Sequence, residues 1–118
     1  MAHPLVHWEL IVSSTEKARN FYGKVFDWTF DDKTYPGYTL IRTGRDTGAG
    51  LMAKRSVAPA MGANTYFEVS DVQLTLQNVI ESGGTVIVPR TEISNLGTFA
   101  MFQDPEGIAV GVLQPLRH

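Results

Sequence analysis

Apolar and polar residues alternate through the opening stretch LVHWELIV: Val6, Trp8, Leu10 and Val12 fall on one side of an extended chain, and His7, Glu9 and Ile11 on the other. This predicts a strand with one greasy face and one face carrying an imidazole and a carboxylate. The period then changes. In SSTEKARNFYGKVFDW, Ala18, Phe21, Tyr22, Val25 and Phe26 recur at spacings of three and four, and Ser14 stands where an N-cap belongs. The stretch predicts an amphipathic helix of about three turns. WTFDD, YTLIRTG and the glycine-rich GAGLMAK follow as three further strands.

RSVAPAMGAN has neither period and reads as a linker over about residues 56–62. Beyond it the pattern restarts. NTYFEVSD predicts a strand, DVQLTLQNVIESGG a helix capped by Asp71 and ended by Gly83 and Gly84, and TVIVP a strand. GTFAMFQ and IAVGVLQ predict two strands joined by a tight turn at DPEG. Aligning Val12 with Val69 sets HWELIVSSTEKA over NTYFEVSDVQLT without a gap, and GAGLM falls opposite AVGVL. The chain therefore reads as one domain of α+β class, with βαβββ modules at about 4–55 and 63–115. A repeat that cannot bury its own sheet face pairs with its copy, which predicts an open, curved mixed sheet with helices outside.

The same alignment carries His7, Glu9 and Ile11 onto Asn64, Tyr66 and Glu68, and the helix-facing set onto Thr65, Phe67 and Val69. Both opening strands thus point polar groups away from the helices. Burying carboxylates and an imidazole there without partners costs several kcal/mol, so the pattern predicts a solvated, ligand-sized trough. Met52, Phe99, Met101 and Leu113 have the parity to wall it, and Gly50 and Gly111 would let a bound molecule approach the backbone. The Met and Leu positions suit a dimer core equally well. Trp8, Phe21, Phe26, Trp28 and Phe67 read as helix-on-sheet packing.

Composition narrows the chemistry. A formal charge of −2 with no basic cluster argues against nucleic acid or an anionic membrane surface as partner. With no Cys, disulfides, thiolate zinc sites and a cysteine nucleophile are excluded. No apolar run approaches the ~20 residues a membrane-spanning helix needs, and the opening residues do not read as a leader, so a cytoplasmic location is expected. There is no phosphate-binding loop, dinucleotide fingerprint, HExxH or GxSxG.

VHWELIVSSTEKARNFYGKVFDW resembles the opening strand and helix, and FQDPEGIAVGVLQ the closing hairpin, of the vicinal oxygen chelate superfamily, which includes glyoxalase I, bleomycin-resistance proteins and extradiol dioxygenases. The resemblance implies paired βαβββ modules, usually in a homodimer, around a small-molecule site. Metal-dependent members carry a ligand near the start of each module's first strand and another in each module's last strand. Here those positions fall on His7, Asn64, Gly50 and Gly111. Only His7 is a metal ligand by type, and a catalytic divalent site requires about three protein ligands.

The resemblance and the residues together predict a protein that binds a small organic molecule and has lost the full metal site, so no cofactor is expected. His7 and Glu9 are the candidate catalytic pair, a nearby carboxylate being expected to raise the imidazole pKa and hold one tautomer. Asn64, Tyr66, Glu68, Met52, Met101 and Gly111 are the candidate ligand contacts. The plainer readings are a histidine satisfied by a carboxylate, and Glu9 and Glu68 as solvated trough edges or salt-bridged to Arg42 or Lys54. Two alternatives stay open: a metal-dependent lyase, isomerase or dioxygenase with His7 on Zn, Ni, Mn or Fe, and a non-catalytic interaction module.

Overall fold

Ser14 and Asp71 each start a helix, and they are the residues that the internal repeat sets opposite one another. In the computed structural model, which describes residues 2–45, 48–55 and 60–116, Ser14 is extended and its hydroxyl accepts from the Lys17 N–H at 3.2 Å, opening helix α1 (Thr15–Phe26). Asp71 does the same for Leu74 N–H at 3.0 Å and opens α2 (Val72–Glu81). Each cap contributes about 1 kcal/mol. Asp27, at φ 60°, ends α1, and Gly83, at φ 95°, turns the chain out of α2.

The strands are β1 (Leu5–Val12), β2 (Thr29–Tyr35), β3 (Tyr38–Arg42), β4 (Gly48–Ala53), β5 (Gly62–Glu68), β6 (Thr85–Ile93), β7 (Gly97–Gln103) and β8 (Ala109–Pro115). The chain divides into two compact units, His7–Asn64 and a second that joins Thr65–His118 to the first residues through Val6. In the first unit the strand order is β2-β3-β4-β1, with β1 and β4 parallel and the other pairs antiparallel. In the second it is β5-β8-β7-β6, with β5 and β8 parallel. There the Glu68 N–H also donates to the Pro4 carbonyl at 2.8 Å. Each unit is a mixed sheet with one helix against it, and the element order βαβββ occurs twice.

Alternation sorts the cores as expected. Ala18 of α1 packs on Ile41, Ala49 and Leu51, flanked by Trp8, Leu10, Val12, Tyr22, Trp28 and Phe30. Val72 and Leu76 of α2 pack on Val69, Ala100 and Val112, flanked by Val86 and Phe102. A side chain as fully buried as Leu51 contributes roughly 2–3 kcal/mol.

Three expectations need correction or bounding. Phe21 and Phe26 are not core residues: they are 59% and 55% exposed, because α1 turns mainly Ala18 and Tyr22 to the sheet. They join instead an aromatic ladder in which Tyr22 meets Phe21, Phe26 and Trp28 at centroid distances of 5.1–6.1 Å. The strand foreseen over TVIVP runs on to Ile93. Pro89 is tolerated because β6 is the edge of its sheet and its pairing with β7 shifts register on both sides of Val88. Of the linker, residues 56–59 lie outside the described residues, while Gly62 already belongs to β5. Among the described residues no helix is long and apolar enough to cross a membrane.

Candidate functional site

The register of the first unit determines which side chains share the face away from α1. In the parallel pair, His7 lies beside Gly48, Glu9 beside Gly50 and Ile11 beside Met52, and across the antiparallel pair Leu40 lies beside Gly50. Strand alternation adds Tyr38 to that face and leaves Thr39 and Ile41 to the helix side. Tyr38 is the residue that organises the site. Its hydroxyl donates to Glu9 Oε2 at 2.6 Å and lies 2.9 Å from His7 Nε2. The two rings are 6.2 Å apart and tilted by 35°.

Hydrogen-bond bookkeeping assigns the protons. The phenol has one proton, and its short bond to the carboxylate takes it. His7 Nε2 is then the donor to the phenol oxygen. Burial pushes the His7 pKa below its ordinary 6.5. This corrects the expectation of a raised pKa: the phenol stands between imidazole and carboxylate, so the imidazole gains a neutral partner and loses water. Glu9 is only 6% exposed, where solvation was expected; Tyr38 compensates that burial. The salt bridge from Arg42 goes to Asp31 instead, at 2.7 Å. With Thr34, Lys33 and Arg42 all donating to it, the Asp31 carboxyl is held far below the usual range.

Gly50 makes the arrangement possible. A Cβ there would overlap the Tyr38 hydroxyl and the adjoining ring carbons. The second unit repeats the device with other contents. Tyr66, Gly111 and Met101 are cross-strand neighbours, a Cβ on Gly111 would overlap the Tyr66 ring, and the Tyr66 hydroxyl reaches Met101 Sδ at 3.8 Å. Tyr66 and Met101 are buried, at 8% and 1% exposure, so this stretch of the face is closed.

The remaining candidates are dispersed. Asn64 is buried and its amide donates to the Ala60 and Gly62 carbonyls at 2.9 and 3.4 Å, which shapes the entry to β5. Glu68 is exposed beside Leu113 and borders a shallow hollow of about 220 Å³ with Ser70 and Gln114. Met52 is half-buried and borders another, of about 270 Å³, with Thr15, Thr39 and Lys54. Sequence reasoning missed Tyr38. The alternation in YTLIR carried half the signal; the register that aims it at Glu9 did not appear there.

Among the described residues no three His, Asp or Glu side chains gather. His7 Nε2 carries a proton, Gly50 and Gly111 bring no side-chain donor, and the Asn64 amide is bound to backbone carbonyls. That donor set does not fit a catalytic divalent ion.

Comparison with known proteins agrees with this architecture. A family model described as the glyoxalase/bleomycin resistance protein/dioxygenase superfamily matches residues 4–112. A Mycobacterium tuberculosis protein named as a glyoxylase, CFP32, is 31% identical over 117 residues, covering 93% of this chain and 45% of its own length. The chain thus spans about half of that relative. A glyoxylase-like domain-containing protein of Didymella fabae is 28% identical over 84% of each chain. The crystal structure of methylmalonyl-CoA epimerase from M. tuberculosis is similar in fold at a TM-score of 0.69, covering 97% of this chain and 89% of that one at 14% identity.

Proposed function

Because the chain belongs to the glyoxalase/bleomycin resistance protein/dioxygenase superfamily, we propose that it binds a small, oxygen-bearing organic molecule on the sheet face of its first module, through hydrogen bonds and without the family's full metal site. The observation that carries this reading is the His7–Tyr38–Glu9 chain, two bonds of 2.9 and 2.6 Å that join three polar side chains beside the apolar Ile11, Leu40 and Met52. A few convergent polar groups on an apolar wall are what a small-molecule site needs for orientation and affinity. His7 and Glu9 orient the phenol, and Tyr38 and Met52, both half-buried, are the contacts a ligand reaches. In the second module Tyr66, Met101 and Gly111 pack into a closed stretch of sheet and Glu68 borders a shallow hollow of its own, so the proposal rests on the first module alone.

The chemistry this cluster supports is proton exchange with a carbonyl or hydroxyl group along the Glu9–Tyr38–His7 line. The cytoplasm and a homodimer belong to the same reading; the exposed Phe21, Val25 and Phe26 on α1 would be covered by a second copy, and light scattering at twice the chain's mass would bear the dimer out. The test of the site is an NMR screen of small carbonyl, diol and carboxylic acid fragments. Hits are expected to move the amides of residues 7–11, 38–40 and 50–52, and His7→Ala to weaken them without unfolding the protein. Hits confined to other surfaces, or an unchanged affinity in His7→Ala, would sink the proposal.

A further inference from the structure

The point at which His7 and Glu9 converge is already taken. A metal ligated by both needs a lone pair on the imidazole nitrogen and a carboxylate oxygen, each about 2.0–2.2 Å from the ion. Here both atoms are turned onto one phenol oxygen, at 2.9 and 2.6 Å. Nε2 carries the proton that bond requires. The ring and hydroxyl also fill the space that any side chain at position 50 would enter, and position 50 is the direct cross-strand neighbour of Glu9.

We propose that Tyr38 is an internal plug: it occupies the place of a divalent cation between His7 and Glu9, and, with Gly50, it determines that this face works by hydrogen bonding. The glycine and the tyrosine act as a pair. A carboxylate at position 50 cannot enter while the Tyr38 phenol holds its place between His7 and Glu9, and removing Tyr38 alone leaves two ligands where about three are needed. Exchanging both should assemble His7, Glu9 and a carboxylate from position 50 on one face of β1 and β4. The inference rests on the binding reading only in placing the site on this face. A metal titration can fail while fragments bind, and fragments can fail to bind while the plug holds.

The experiment compares wild type with Tyr38→Ala and the double variant Tyr38→Ala/Gly50→Glu, using Co(II) and Zn(II) alone as probes. Cobalt absorption and calorimetry report affinity, and the His7 imidazole NMR signals report location. Wild type is expected to leave the His7 signals unmoved. The double variant should bind one ion per site at least about tenfold more tightly than wild type, with His7 perturbed. A wild-type protein that takes a stoichiometric ion at His7 would overturn the proposal, as would a folded double variant with no gain. Circular dichroism checks folding. If the double variant does not fold, Tyr38→Ala decides alone: its two remaining ligands take Co(II) only weakly, so at millimolar Co(II) its His7 signals must broaden where those of wild type at the same concentration do not, and equal behaviour of the two refutes the plug.

Discussion

The two modules share a frame and differ in what stands over one glycine. In each, the last strand presents a buried glycine covered by a tyrosine ring: Tyr38 over Gly50 in the first, Tyr66 over Gly111 in the second. Tyr38 comes from β3 and ends on an imidazole and a carboxylate; Tyr66 comes from β5 and ends against a thioether. The repeat therefore supplies two equivalent notches, and the residue that fills each one decides whether it becomes a polar site or more core. The contact differs too. Gly50 meets the far end of its tyrosine, Gly111 the ring atoms near the backbone.

That last difference is the sharpest place to break the comparison. Gly111→Ala should cost about 3 kcal/mol, because the Tyr66 ring is enclosed and cannot pivot around a Cβ set against its inner atoms. Gly50→Ala should cost roughly 1–2 kcal/mol, since the half-buried Tyr38 ring can swing its end away. The price of that swing is the His7–Tyr38–Glu9 chain, visible as a shift of the His7 ring signals. Urea unfolding of both variants measures it; equal losses would mean that the notches are alike.

Methionine truncation repeats the contrast at the walls. Met101→Ala should lose about 3 kcal/mol, being a cavity in a site 1% exposed, whereas the half-buried Met52→Ala should lose about 1 kcal/mol. A smaller change, Tyr38→Phe, keeps the ring and removes the hydroxyl from a buried carboxylate. Its expected cost is about 2 kcal/mol, together with loss of fragment binding at residues 7–11. Retained binding in this variant would mean that the ligand does not read the phenol.

The smallest effect is one of pH. The native pKa of His7 lies below its ordinary 6.5, so between the two values the unfolded chain binds the extra proton and the folded one does not. Stability contributed by neutral His7 is thus complete above about the ordinary value and is lost as pH falls through the lowered one. His7→Gln should flatten the stability difference across that window, while the rest of the acid limb, which belongs to carboxylates, stays parallel. Parallel curves throughout would show that His7 takes its proton equally in both states.

Much of this was legible without coordinates. The helix caps Ser14 and Asp71, the opposite parities of Trp8 and His7, the placing of Gly50 and Gly111 in the last strands, and the βαβββ repeat all follow from local rules, since a cap needs a side-chain acceptor and a strand alternates every residue. What was not legible was Tyr38. Parity placed it on a face, but whether it meets Glu9 depends on how β3 aligns with β4 and how β4 aligns with β1, two registers among residues ~30 positions apart in sequence. The exposure of Phe21 and Phe26 was hidden for a related reason. A helical period marks a stripe, and only packing decides which part of the stripe the sheet covers.

The sequence by itself thus determined the elements, their repetition, the family and the shortage of metal ligands, because these depend on residue type and on neighbours a few positions apart. Tertiary structure alone decided that the imidazole and the carboxylate meet through a phenol and not directly. Strand register brings the three together, and a glycine without a side chain leaves the ring room to lie there.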